Sequence, residues 1–222
     1  MKEVLNMQED IVLIGSGGHC KTIVDSIERL GTFKIAGFID LEEIGKEVYR
    51  GYKIIGHDED MQSIYDSGIH NAFIGIGFMG KSNIRKKLYF KMKDAGFNFP
   101  VIIDPSAVVA KDATIGEGTY IGRDAVVDAD AKIGMNCIIN TSAIVEHECI
   151  IGDFSHLAVA SVICGQTQVG DGCFLGANST VIQRLKISDR CVVGAGSVVL
   201  SSIDSDCTAV GVPAKVIGDS MQ

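Results

Sequence analysis

Residues 144–156 read IVEHECIIGDFSH and bring His147 and His156 into one short run with Glu146, Glu148, Cys149 and Asp153. An imidazole beside a carboxylate can take a proton from an attacking nucleophile, because the negative charge stabilises the imidazolium that forms. Imidazoles, carboxylates and a thiol could instead ligate zinc. A third reading makes them only the wetted side of a packed element. Which side chains point inward decides among the three, and the surrounding elements set that.

Those elements repeat every six residues. Stepping by six from Ile103 to Val199 meets 17 positions, all Ile, Leu or Val. The position four further on is small from Ala107 through Ser197, except at Leu185. Six is neither a helical period nor the simple alternation of one strand. A large aliphatic with a small residue four later describes short strands joined by corners, one hexad per face and three hexads per coil of a prism. Residues three hexads apart then lie above one another, at the strand spacing of roughly 4.8 Å. Nothing breaks the register, so no long loop is expected to project.

The register sorts the polar residues of the opening run. Val145 and Cys149 point in, so Glu146, His147 and Glu148 stand outside, and His156 is expected outside as well. Cys137, Cys149, Cys173 and Cys191 occupy the small inward position, where a thiol is a compact apolar filler. Cys164 faces outward with nothing beside it to favour a thiolate. His147 and His156 lie half a coil apart, and the repeat holds no third histidine. That argues against a zinc site, and no metal is expected.

The first half has a different grammar. IVLIG at 11–15 reads as a buried strand, and the following SGGHCKTIVDSIERLG as a helix closed by Gly31. FKIAGFID ends a second strand at Asp40, and NAFIGIG ends a later one at Gly77. The next helix should carry Ile84, Leu88 and Met92 inward, with Arg85, Lys86 and Lys87 on a solvated face. Strands alternating with helices imply a parallel sheet. The turn GSGGHC has Cys20 where a dinucleotide fingerprint carries its third glycine. Gly17 and Gly18 still offer amides and a positive helix end to a phosphate, and Asp40 could accept ribose hydroxyls. His19 is either a ligand contact or a surface residue at the cap. The period changes near 99–103, which sets expected domains of 1–100 and 101–222.

Composition narrows the class. A net charge of −8 leaves no basic face for nucleic acid. Seven cysteines without a CxxC pair suit reduced thiols in the cytoplasm. No apolar stretch reaches membrane-spanning length, and the residues before IVLIG lack the pattern of a signal peptide.

A small Rossmann-like domain followed by uninterrupted hexads resembles the bacterial sugar acetyltransferases of the sialic acid and bacillosamine pathways. The resemblance spans nearly the whole chain, through GSGGH at 15–19, FID at 38–40, NTSAIVEHECIIGDFSH at 140–156, CFLGANS at 173–179 and GVPAK at 211–215. It implies a left-handed parallel β-helix, acetyl-CoA as donor, a nucleotide-sugar acceptor and no metal. It also implies His147 as general base, Glu148 as the group that raises its basicity, and His156 in contact with acetyl-CoA. Ala177 and Ala195 match positions that line the cofactor cleft. Gly17, Gly18, His19, Asp40 and Gly77 match the nucleotide-sugar site. The family is trimeric, with the active site between neighbouring prisms. Gly165, one coil from His147, is a backbone donor suited to an oxyanion. The expected reaction is N-acetylation of a UDP-linked 4-amino-4,6-dideoxy sugar. O-acetylation of sialic acid, a γ-class carbonic anhydrase and a noncatalytic nucleotide-sugar scaffold are the alternatives.

Overall fold

The computed structural model describes residues 8–80 and 82–219. The chain divides into two compact units, one of residues up to 77 with 87–100, the other of 78–86 with the residues from 101 on. In the first unit β1 (Glu9–Ile14), β2 (Phe33–Ile39), β3 (Glu47–Tyr49), β4 (Tyr52–Gly56) and β5 (Asn71–Ile74) form one sheet in the order β3-β4-β2-β1-β5. Only the β3–β4 pair is antiparallel. Ile11 to Ile14 are wholly buried, as a central parallel strand covered on both faces requires.

Helix α1 (Gly18–Leu30) buries Cys20, Ile23, Val24 and Ile27, and Gly31 closes it at φ +69° with its amide on the Ile27 carbonyl at 2.9 Å. Two further helices follow, α2 (Met61–Asp66) and α3 (Ile84–Asp94). In α3 Leu88, Tyr89 and Met92 are buried, whereas Ile84 is exposed, against expectation. The strand order reverses at β1, with β2 on one side and β5 on the other. In open α/β sheets ligands bind at the carboxyl ends beside such a reversal.

The second unit is a left-handed parallel β-helix whose two-residue strands stack on three faces. The first face runs from Ile102–Ile103 to the terminal hairpin Cys207–Gly211 and Ala214–Asp219. The second runs from Val108–Val109 to Val198–Val199, and the third from Thr114–Ile115 to Lys186–Ile187. Register holds from coil to coil, so that Val127, Val145, Ile163 and Val181 pair in succession. These aliphatics and the four inward cysteines form one continuous core.

From Gly118 to Gly196 the corners close with a backbone device that the hexads do not spell out. Every sixth residue from Gly118 to Gly196 has φ between +52° and +68°. Apart from Gly118, Gly172 and Gly196 none of them is glycine, so Glu148, Phe154 and Ala160 are among those holding a left-handed conformation. That conformation costs a residue with a Cβ about 1–2 kcal/mol. Stacking offsets the cost, because each corner hydrogen-bonds the coils on either side. Glu146 N, for example, donates to Ile163 O, and Glu148 N to Ala129 O.

Candidate active site

The corner that follows the second face brings residues one coil apart into columns. One column holds His147, Gly165 and Gln183; the next holds Glu148, Gln166 and Arg184. A concavity of about 500 Å³ opens here, lined by Glu146, His147, Cys164, Gly165, Gln166 and Arg184 among others. The His147 side chain is 52% exposed and that of Glu148 50%. His147 Nδ1 lies 3.1 Å from Glu148 Oε2. A carboxylate only accepts, so in the neutral imidazole the proton sits on Nδ1 and the Nε2 lone pair is left to act as a base.

Gly165 faces that lone pair. A Cβ built on Gly165 would fall 2.5 Å from His147 Nε2, so only glycine leaves the ring its place. Behind the pair, Gln166 Nε2 donates to Glu148 Oε2 at 2.9 Å, and Arg184 Nε donates to Gln166 Oε1 at 2.7 Å. The hydrogen bonds from Gln166 and then His147 hold the Glu148 carboxyl below its ordinary pKa. Cys164 also lines the concavity, but burial raises its thiol pKa. That opposes a nucleophilic thiolate.

The first unit gathers its own predicted residues at the carboxyl ends of β1, β2 and β5. Gly17 caps α1 in an extended conformation, and nothing lies within 4 Å of a Cβ built on Gly17 or Gly18. A Cβ on Gly77 would meet only the Cβ of His19, at 3.9 Å. Cys20 fits in place of the third glycine because Gly75 of the next turn makes room, a Cβ there falling 2.4 Å from Cys20 Sγ. Asp40 already has partners. Ser16 donates to Oδ2 from both its amide and its hydroxyl at 2.6 Å, and the Leu41 amide donates to Oδ1 at 2.6 Å. Burial opposes ionisation of Asp40, but these hydrogen bonds outweigh it and lower its pKa.

The chain as a whole has close structural counterparts. A histidine mutant of GDP-perosamine N-acetyltransferase from Caulobacter crescentus, in complex with CoA and GDP-perosamine, is 35% identical over 95% of this chain and 97% of that one, with a TM-score of 0.89. The chain belongs to this family of hexapeptide-repeat sugar N-acetyltransferases. The acetyltransferase domain of PglB from Neisseria gonorrhoeae, in complex with acetyl coenzyme A, is 29% identical over 95% of this chain and 100% of its own, with a TM-score of 0.86. A curated relative, UDP-N-acetylbacillosamine N-acetyltransferase of Bacillus subtilis, is 36% identical over 118 residues, 51% of each protein. The match thus spans about half the length of that curated relative. Residues 10–92 match the PglD N-terminal domain, and 166–201 the hexapeptide repeat of succinyl-transferase.

Two family-matched positions on the prism sit away from His147. Ala177 and Ala195 are exposed at the corner after the first face, so the whole second face separates them from His147 within one chain. His156 corrects the sequence reading. Its side chain does leave the prism, on the first face, but segment 78–80 covers it and leaves the residue 7% exposed. Its Nδ1 donates to the Phe78 carbonyl at 2.5 Å, and Asn140 Nδ2 donates to its Nε2 at 3.1 Å. The Thr141 amide, donating to Asn140 Oδ1 at 2.8 Å, fixes which way that amide points. Burial pushes the His156 pKa down to about 4. Arg85 is likewise buried rather than solvated, with a guanidinium N–H on the Asn136 carbonyl at 2.9 Å.

Asn140, Gln166, Arg184 and Ser16 were not expected at these sites. Stepping one and two coils on from Glu148 would have found Gln166 and Arg184 in the sequence alone. Among the described residues no group of three or more His, Cys, Asp or Glu is arranged to hold a metal, and no helix is long and apolar enough to cross a membrane.

Proposed function

We propose that this chain transfers the acetyl group of acetyl-CoA to the amine of a UDP-linked 4-amino-4,6-dideoxy sugar. The observation that carries the reading is the His147–Glu148 pair, which leaves the His147 Nε2 lone pair facing an open concavity. As the amine nitrogen attacks the thioester carbonyl, a C–N bond forms and Nε2 takes the proton that the nitrogen loses. The carbonyl oxygen gathers negative charge in that step. The Gly165 amide, which has no hydrogen-bond partner among the described residues, is our candidate donor to it. The C–S bond then breaks and the departing thiolate is protonated, returning His147 to its neutral form. Direct transfer needs no enzyme nucleophile, in keeping with the raised thiol pKa of Cys164.

The acceptor assignment rests on relatives named for UDP- and GDP-linked amino sugars and on the open glycine turn Gly17–Gly18 at the N-terminus of α1. His19, Asp40 and Gly77 complete the proposed nucleotide-sugar site. For acetyl-CoA we assign the corner of Ala177 and Ala195, whose methyl side chains leave it unobstructed, with the buried His156 on the adjoining face reached only if the Phe78 contact opens. Because that corner and the His147 corner lie on different edges of the prism, we infer a homotrimer in which neighbouring subunits complete one another's clefts. The free cysteines and the donor both suit the cytoplasm.

Release of CoA thiol should be followed with UDP-linked and GDP-linked 4-amino-4,6-dideoxy sugars, free sialic acid and CMP-sialic acid. The reading expects the UDP-amino sugar to be preferred and the product to be an alkali-stable amide. His147→Ala should lower kcat by about 10²–10⁴ and leave the thermal midpoint unchanged. Preference for free sialic acid with an ester product would replace this reading with O-acetylation. No turnover of any acceptor would favour a noncatalytic scaffold.

A further inference from the structure

We propose that Gln166 and Arg184 are positioning residues for the His147–Glu148 pair, forming a stacked relay that holds the base in its reactive tautomer. The inference rests on the reading of His147 as general base. Three consecutive coils supply one side chain each at the same corner position: Glu148, Gln166 and Arg184. The hydrogen bonds converge on Glu148 Oε2, which accepts from Gln166 on one side and from His147 on the other. Arg184 Nε–H donates to Gln166 Oε1 at 2.7 Å, Gln166 Nε2–H donates to Glu148 Oε2 at 2.9 Å, and Glu148 Oε2 accepts from His147 Nδ1 at 3.1 Å. A guanidinium only donates and a carboxylate only accepts, so the Gln166 amide has one orientation that satisfies both neighbours.

Glu148 needs such a brace. It is half exposed on a corner, and a free glutamate there would sample several rotamers and release His147 Nδ1. An imidazole that loses that acceptor favours the proton on Nε2, which removes the base. The lowered Glu148 pKa, with Gln166 as its largest cause, agrees with the same geometry. The carboxylate that lines the concavity, Glu146, lies at the start of the corner and has no place in this column.

The backbone supplies a discriminating variant. Gln166 sits at φ +61° and Arg184 at φ +62°, where glycine is at ease. Gln166→Gly and Arg184→Gly should therefore keep or raise the thermal midpoint while cutting the relay, so a lost function could not be ascribed to misfolding. Gln166→Gly should lower kcat about ten-fold, with KM for either substrate within about two-fold. Nitrogen-15 NMR of the substrate-free protein, at a pH where the imidazole is neutral, should show His147 protonated on Nδ1 in the parent and shifted toward Nε2 in Gln166→Gly. In a Glu148→Gln background Gln166→Gly should add no further loss. The relay is overturned if Gln166→Gly keeps both the parent tautomer and the parent kcat, or if its loss multiplies with that of Glu148→Gln. The NMR arm separates the two readings: an altered tautomer in a protein that acetylates no amino sugar would uphold the relay and remove the proposed reaction.

Discussion

At the scale of single residues, the candidate site is governed by what each nitrogen and oxygen can still do. Gly165 is the sharpest case, because its missing side chain is what leaves His147 Nε2 accessible. Gly165→Ala would place a methyl 2.5 Å from Nε2 and push the ring aside. Displacement of a catalytic group by about 1 Å can cost roughly 10² in rate. We expect a fall in kcat of that size with near-parental thermal stability, measured on the same preparation. His156 makes a prediction about stability instead. Its pKa is lowered from 6.5 to about 4, chiefly by burial. The unfolded chain therefore binds a proton that the folded chain refuses, so stability is full above about pH 6.5 and falls as pH drops toward 4, by about 3 kcal/mol. Denaturant titrations from pH 7 to 4 should show this slope, and His156→Gln should flatten it. An unchanged slope in His156→Gln would assign the acid sensitivity to other groups.

At the scale of elements, the prism is held by its corners as much as by its aliphatic core. On the corner after the third face, the Met135 amide donates to Asp153 Oδ1 at 2.9 Å, the Asp153 amide to Asp171 Oδ1 at 2.8 Å, and the Asp171 amide to Asp189 Oδ1 at 3.0 Å. Each aspartate thus caps the coil before it. Asp171→Ala should cost about 1 kcal/mol, a fall in thermal midpoint of about 2–4 °C. It should leave kcat alone, since His147 lies on a different corner. Loss of activity at parental stability would show that the corners are coupled. The faces of the prism were legible because a period of six fixes which residues face inward, and this placed Val145 and Cys149 inside and His147 outside. The left-handed φ at Glu148, Phe154 and Ala160 was not, since no residue type there demands it. The burial of His156 and Arg85 was hidden for another reason. It depends on segment 78–86 joining the second unit, which sets Phe78 against a histidine several coils further along the chain. In the first unit the glycine turn and Asp40 were visible, but nothing in the sequence marks Ser16 as the residue that engages Asp40.

At the scale of the whole molecule, the question is what joins chemistry that one chain holds apart. His147 stands on the corner after the second face, and Ala177 and Ala195 on the corner after the first. A rigid stack of coils cannot bring two of its own edges together. A cleft built from both corners therefore needs a second copy of the chain, and closed cyclic symmetry repeats the contact until every copy has one. Complementation tests this directly. His147→Ala removes the proposed base, while Ala177→Trp fills the corner assigned to acetyl-CoA, so each variant alone should be nearly inactive. In trimers assembled at random from equal amounts of the two, the parental form of both corners meets at about one site in four, and about a quarter of parental activity should return. Light scattering on the same mixture should report three chains per particle. Recovery of activity requires that the two corners of one site come from different chains. Its absence in a confirmed mixed trimer would place the whole site within a single subunit, and parental activity in Ala177→Trp alone would remove the acetyl-CoA assignment from that corner.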